Sequence, residues 1–443
     1  MKMKMRKTLI IAAIAGCLGF PCLAHSQQAE QFIPMTLYRT GPMGGFGTPP
    51  MIGYMDYMTM LNERDGGING VKLVWEECET AYQPDRMVEC YERLKDKGPT
   101  GATLWNPYGT GLAYAILEKS QADKVPLIMV GNGRTDATDG RIFPYAFPLI
   151  TNFWSQATAI VKFVEMREGG DDKLKGKKIV DLYHDSAYGK ETIGILDKLA
   201  QKYGFEIKHM PVANPGLDQK AVWLQIRQYK PDWVVMQGAG LMTQTAIKEA
   251  AGIGFPRDHL VGNYWSGAEE DTTPAGSAAK GYIAAAMHGS GTSYPVMQDI
   301  LKFAYGNGKG NGKEQDVGTI RYNRGVVIGV VTMEAIRIAQ EKFGKGKPIT
   351  GEQMQWGLEH LNLTEERLAQ LGAKDLVPSF KTSCLDHEGG APVRFTQWDG
   401  AKWTSISDWV ATDQTLVRPM IEASAAAYAK EKGIQPRTCD ATN

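Results

Sequence analysis

Few residues of this chain have the types and spacing that chemistry requires. His184-Asp185-Ser186 holds the three side chains of a nucleophilic triad, but neighbours at one strand end cannot pass hydrogen bonds in series. They read as loop residues after a strand, and the chain contains no GxSxG elbow. Gly131-Asn132-Gly133 follows a strand as a dinucleotide fingerprint does, yet Asp136 stands where the third glycine belongs and no helix follows directly. Gly312-Lys313 has Asn307 and Glu314 where a phosphate loop needs glycine and a hydroxyl residue. The acid pairs Glu76-Glu77 and Glu269-Glu270 read as solvated turns. The cysteines form no CxxC and the histidines are scattered, so no metal or other cofactor is expected. No catalytic residue is named by these patterns.

What remains is recognition. Aromatic and small polar residues cluster where strands should end: Trp105-Asn106-Pro107-Tyr108-Gly109-Thr110, Gly131-Asn132-Gly133, Tyr188-Gly189, Gly238-Ala239-Gly240 and Asn263-Tyr264-Trp265. In open α/β sheets, ligands sit at the carboxyl ends of the strands. The same aromatics could instead pack two domains together.

The elements that must position them alternate. A strand over 31–38 precedes a glycine-rich turn over 40–47, and apolar spacing predicts a helix over 49–63 that Asp65-Gly66-Gly67 closes. A short β-rich run over 71–75 and a helix over 84–97 follow. Strands are expected near 101–105, 126–130, 178–183, 205–211, 232–237 and 258–263. Helices are expected near 110–121, 153–168, 189–203, 219–229 and 242–252. Runs such as Trp233-Val234-Val235-Met236 are continuously apolar, as parallel strands covered on both faces must be. Repeated units of this kind predict an α/β protein with right-handed crossovers. Extended pieces at 144–148 and 281–287 read as passages between two such series. A long helix over 320–342, a hairpin about Asp399-Gly400 and a final helix over 415–432 complete the chain.

Charge and composition narrow the classes. The 443 residues carry 49 Lys+Arg and 49 Asp+Glu, with 43% hydrophobic and 22% charged residues. Collagen-like, coiled-coil and disordered chains are excluded, and there is no basic excess for nucleic acid. Lys2, Lys4, Arg6 and Lys7, an apolar run Thr8–Ala24 and the small residues Ala24 and Ser26 have the layout of a cleaved export signal over 1–26. Ile14-Ala15-Gly16-Cys17 offers a lesser alternative, lipidation at Cys17. Without the signal the balance becomes 45 basic to 49 acidic residues, net −4. Four cysteines remain, Cys78, Cys90, Cys384 and Cys439, and an even count in an exported protein suggests disulfides. Three pairings are possible; proximity favours Cys78 with Cys90 and Cys384 with Cys439.

Thr40-Gly41-Pro42, Asp65-Gly66-Gly67-Ile68-Asn69-Gly70, Cys78 followed by Pro84, Val125-Pro126-Leu127-Ile128 and His184-Asp185-Ser186-Ala187-Tyr188-Gly189 together resemble a known family. It is the periplasmic solute-binding proteins of ABC importers, the branched-chain amino acid (leucine/isoleucine/valine-binding) group. The likeness spans about 31–340. It implies the type I fold, two doubly wound parallel-sheet lobes joined by three crossover strands and closing over ligand. It also implies that Cys78 is disulfide-bonded. By the same resemblance Tyr188 faces ligand from the second lobe, Thr110 begins a helix that holds a carboxylate, and Phe46 is an aromatic wall. Two departures stand out: bulky Pro107-Tyr108 where amino-acid binders carry a serine, and Asn263-Tyr264-Trp265 where they carry an acid for the ammonium.

The expected ligand is therefore a small carboxylate, aromatic rather than a simple branched-chain amino acid. The expected ligand-binding residues are Phe46, Trp105, Tyr108, Thr110, Gly131, Asn132, Tyr188, Ala239, Tyr264 and Trp265. The expected partners are that small molecule and the permease subunits of an ABC transporter, for a periplasmic monomer with neither nucleic acid nor a membrane span. The lobes are expected at 27–148 plus 283–345 and at 149–282 plus 346–443. A ligand sensor of the same fold, or an exported α/β enzyme, are the competing readings.

Overall fold

The computed structural model describes residues 28–170 and 172–439. The expected export signal, with Cys17, lies outside the described residues. β1 (Glu30–Leu37) leads through the glycine-rich turn into α1 (Gly44–Asp65), and β2 (Lys72–Glu79) pairs with β1 in parallel, Glu30 opposite Lys72. Next come α2 (Pro84–Leu94), α3 (Thr110–Asp123), β3 (Leu127–Ile128) and β4 (Ala146–Phe147). The strand expected over 101–105 is reduced to two isolated bridges, Gly101 to Pro99 and Trp105 to Leu127. The Trp105 N–H reaches the Pro126 carbonyl and the Ile128 N–H returns to the Trp105 carbonyl, each at 2.7 Å, but Pro126 has no N–H with which to extend the ladder backward.

The second lobe runs through α4 (Phe153–Glu168), β5 (Lys178–His184), α5 (Ala187–Lys190), α6 (Ile193–Tyr203), β6 (Glu206–Val212), α7 (Lys220–Tyr229) and β7 (Trp233–Gln237). It continues with α8 (Leu241–Gly252), β8 (Leu260–Gly262), α9 (Glu269–Thr272) and β9 (Ile283–Ala286). The single helix expected over 189–203 is two, because the chain turns at Glu191-Thr192. After α10 (Pro295–Ile300) and α11 (Ile320–Phe343) come α12 (Gly351–Glu359), β10 (Asn362–Leu363), α13 (Glu365–Gln370) and β11 (Phe380–Lys381). The hairpin forms as expected from Asp399-Gly400, with β12 (Arg394–Trp398) against β13 (Trp403–Ser405), before α14 (Gln414–Lys432).

The second lobe's sheet has seven strands in the order β13-β12-β9-β8-β7-β5-β6, and β12 runs antiparallel to β9. β7 is buried along its whole length, as its apolar run requires.

The lobe boundaries differ from those expected. β9 belongs to the second lobe's sheet, although 283 onward was assigned to the first. Residues from Ile349 to Ala391 share the core of β1 and α1, so most of 346–391 packs on the first lobe, not the second. α14 serves both: Val417 and Ile421 enter the second lobe's core, Ala425 and Ala429 the first's. Periodicity marks each element but not which sheet it will cover.

The passages between lobes are tied by backbone and side-chain hydrogen bonds. The Ile150 N–H donates to Glu388 and the Ala391 N–H to Ile150, each at 2.8 Å. The Glu388 carboxylate accepts the Asn152 N–H at 2.8 Å and its side-chain amide at 2.7 Å, while Asn152 caps α4 through the Ser155 N–H. Cys78 is bonded to Cys90 and Cys384 to Cys439.

α1 and α11 form the spine of the first lobe, and glycine lets them touch backbone to backbone. A Cβ on Gly325 would stand 1.7 Å from the Pro50 carbonyl oxygen, and one on Gly53 2.2 Å from that of Tyr322. Neither obstacle is a flexible side chain. Gly325→Ala should therefore destabilise the protein by about 3 kcal/mol or more. Gly194→Ala, in exposed α6 with open space around it, should leave stability unchanged or slightly higher. Denaturant melts of the two variants check this; equal stability would mean the α1–α11 contact is not tight.

Candidate functional site

A cavity lies between the lobes, at the carboxyl ends of their strands, where the sequence places its aromatic and small polar residues. Each wall is set by local structure. The first turn of α1 delivers Phe46, with Met43 just before it. The Tyr38 hydroxyl donates to the Tyr108 carbonyl at 3.0 Å, and the Thr36 hydroxyl to the Asn106 carbonyl at 2.7 Å. These bonds hold the 106–109 loop against β1 while Tyr108 adopts a left-handed backbone, φ 49°. α3 then starts at the cavity, and the Thr110 hydroxyl accepts the Gly133 N–H at 3.1 Å.

The second lobe contributes Tyr188, Ala239 and Trp265. The Tyr188 hydroxyl donates to the Gly238 carbonyl at 2.8 Å and accepts from the Asn263 amide at 2.6 Å. It is consumed by the framework, so Tyr188 offers the cavity its ring. The Trp265 indole N–H donates to the Gly131 carbonyl, a bond from one lobe to the other. Its ring packs on Phe46 at 5.4 Å and on Tyr108 at 5.1 Å between centroids. Gly131 has φ 66°, and a Cβ there would meet the Tyr264 ring at 2.8 Å, so only glycine allows this approach.

Of the ten residues expected at the ligand, seven line the cavity: Phe46, Tyr108, Thr110, Asn132, Tyr188, Ala239 and Trp265. Three stand elsewhere. Trp105 is buried in the first lobe's core against Tyr91, 4.8 Å between rings, because its backbone bridges to β3. Gly131 contributes a carbonyl to the Trp265 bond. Tyr264 is buried behind Trp265, beneath the guanidinium of Arg324.

Met43, Tyr82 and Gly109 complete the lining without having been expected. Tyr82 had a signal: it lies between Cys78 and Cys90, whose bond closes the loop that presents it. The cleft holds about 280 Å³ of space free of atoms, part of it open to solvent.

No lining residue is charged. Asn132 is buried with neither side-chain atom hydrogen-bonded, a polar group turned to the cavity. Burial pushes the Tyr108 hydroxyl up to about 12, so it stays a neutral donor. The acids near 269 are engaged elsewhere. Glu269 accepts the Ile320 N–H at 3.0 Å, and Arg321 holds Glu270 at 3.2 Å and Asp271 at 2.7 Å. Glu269-Glu270 is thus no solvated turn but a contact with α11. Glu76-Glu77 lies on β2, paired with Lys97 and Arg39 at 2.5 and 2.7 Å.

At the triad-like segment, the His184 Nδ1 meets the Ser186 hydroxyl at 2.9 Å, while Asp185 pairs with Lys190 at 2.7 Å instead of the imidazole. No described helix is long and apolar enough to cross a membrane.

Comparison with known proteins agrees with this architecture. A crystal structure described as an ABC transporter permease from the Pseudomonas fluorescens group is 48% identical, covers 93% of this chain and 99% of its own, and superposes with a TM-score of 0.88. A branched-chain amino acid ABC transporter from Thermus thermophilus with bound valine is 20% identical over 89% of this chain and 99% of its own, TM-score 0.72. A solute-binding protein from R. palustris in complex with benzoate is 18% identical over 87% of this chain and 97% of its own, TM-score 0.67. At such identities the last two speak to fold alone. No curated protein matches in sequence. The profile of the family described as periplasmic binding protein matches residues 30–402. Two α/β lobes around an aromatic cleft, with that match over most of the chain, make this protein a member of the periplasmic binding protein family, a type I solute-binding receptor for a small ligand.

Proposed function

We propose that the chain is the extracytoplasmic receptor of an ABC importer, exported by its N-terminal signal, and that it captures a small organic acid with an apolar or aromatic body. The observation that carries the ligand class is the cavity wall. Phe46, Tyr82, Tyr108, Tyr188 and Trp265 supply aromatic surface, and no carboxylate is free to receive an ammonium group. An amino acid would bury its ammonium without a counter-charge, which costs several kcal/mol. The R. palustris neighbour with benzoate supports the reading, since the same fold there accepts an aromatic acid. The rings from the two lobes touch, so ligand enters when the lobes part and closure around it presents one surface to a permease.

Thermal-shift measurements with benzoate, phenylacetate, octanoate, L-leucine and L-valine test this. At least one of the three acids should raise the melting temperature, because binding to the native state stabilises it, and the amino acids should not. A response to the amino acids alone would refute the acid reading. Trp265→Ala and Tyr82→Ala should weaken the bound acid by about 10-fold or more while the protein still melts cooperatively. Unaltered affinity in both would move the site elsewhere.

Closure includes a titratable contact. Glu191, between α5 and α6, accepts the Tyr114 hydroxyl of α3 and the Thr135 N–H, the latter at 3.3 Å. Burial pushes its carboxyl from 4.5 up to about 7, against the hydrogen bonds that lower it. Opening exposes it and returns it toward 4.5, so the closed form holds a proton that the open form releases. Closure is then fully supported below about 4.5 and loses support as pH rises through about 7. Acid affinity measured by calorimetry should fall several-fold between about pH 5 and pH 8 in the native protein. In Glu191→Gln the slope should be smaller, the remainder coming from other buried carboxyls at the junction such as Asp271, pushed by burial to about 7; an equal slope in both would exclude Glu191 as the cause.

A further inference from the structure

α11 begins with two arginines one turn apart, and both are buried at the lobe junction with 1% exposure. Arg321 is neutralised by Asp271 and Glu270. Arg324 is not: among the described residues no carboxylate lies within ion-pair distance of it. One guanidinium nitrogen donates to the Tyr264 carbonyl at 2.7 Å, while Nε and Nη1 are buried without a partner. The group lies over the Tyr264 ring at 3.7 Å and the Trp265 ring at 4.6 Å. The hydroxyls of Tyr108 and Tyr264 are buried beside the group and feel it both as a charge and as a hydrogen-bond donor, though neither contact is aligned as a full hydrogen bond. His288, on the far side of Tyr264, is held neutral by burial and by that same charge, so it adds no second cation.

A buried cation with no carboxylate beside it, its remaining N–H groups met only by two poorly aligned hydroxyls, is an arrangement that an anion would complete. Tyr108 and Trp265 line the cavity, so the cluster adjoins its wall. The start of α3, where the family resemblance puts a carboxylate, offers about half a charge, whereas Arg324 offers a whole one in a drier place. Its planar fork also matches a carboxylate's two oxygens.

We propose that Arg324 is the anchor for the ligand's carboxylate, with the Tyr108 and Tyr264 hydroxyls completing the anion site. The assignment rests on the reading of the cleft as an organic-acid site. It makes Arg324 the residue that separates acids from neutral molecules of the same shape.

Calorimetry with benzoate, phenylacetate and octanoate, each beside its primary amide, tests it on the native protein, Arg324→Gln and Arg324→Lys. The native protein should bind at least one acid and prefer it to its amide by about 30-fold or more. Arg324→Gln should abolish that preference by weakening the acid by the same factor, and Arg324→Lys should restore part of it. Circular dichroism melts verify that each variant folds. If Arg324→Gln does not fold, the native acid-to-amide ratio and the Arg324→Lys affinity decide. Acid binding undiminished in Arg324→Gln or in Arg324→Lys with no preference over the amide overturns the anchor but leaves the organic-acid reading intact. An amide bound as tightly as its acid by the native protein, or no acid bound at all, overturns both.

Discussion

The protein depends on burying two guanidinium groups where its lobes meet. α11 carries them there because glycines at 53 and 325 let α1 and α11 approach backbone to backbone. Arg321 reaches across to Asp271 and Glu270 of the second lobe while its guanidinium lies 4.2 Å from the Phe46 ring centre. Charge that is expensive to desolvate is repaid only when both lobes are in place, so the pair ties the closed form to the cavity wall. The aromatic wall, the engaged acids at 269–271 and the buried cationic edge of Arg324 toward its tyrosines all follow from that one helix start.

The cleft divides labour between framework and surface. Polar atoms of Tyr188, Asn263, Ser266 and Trp265 are spent on one another or on backbone carbonyls. What lines the cavity is mostly ring surface, with no charged side chain among the lining residues. A few buried polar groups of the cleft, Asn132 among them, are left without partners, which is costly until another group supplies one.

The chain's later part contacts both lobes. Glu388 grips the head of α4 through Asn152, and burial, with Asp386 nearby, pushes its carboxyl up to about 8. α14 lies along both lobes, and the Cys384–Cys439 bond fastens the segment after it to the region just before Glu388.

Local pattern determined much of this in advance. Continuous apolar runs marked β5 and β7, Asp399-Gly400 marked the hairpin, and the cysteine spacing favoured the two bonds that are present. Family resemblance supplied the two-lobed fold and Tyr188. Those features are legible because strand burial, turn chemistry and short loops depend on neighbours in sequence. Tertiary structure alone decided the rest. Trp105 sits in the same strand-end cluster as Tyr108, yet a single bridge to Leu127 turns one into core and the other into wall. The lobe that receives 349–391 depended on packing against α1 and α11, which no periodicity records. Arg321 and Arg324 stand at the head of an ordinary apolar helix, and only the meeting of distant segments made one a paired charge and left the other unpaired. Burial and charge pairing are properties of three-dimensional neighbours, and the sequence orders those residues without saying which of them will meet.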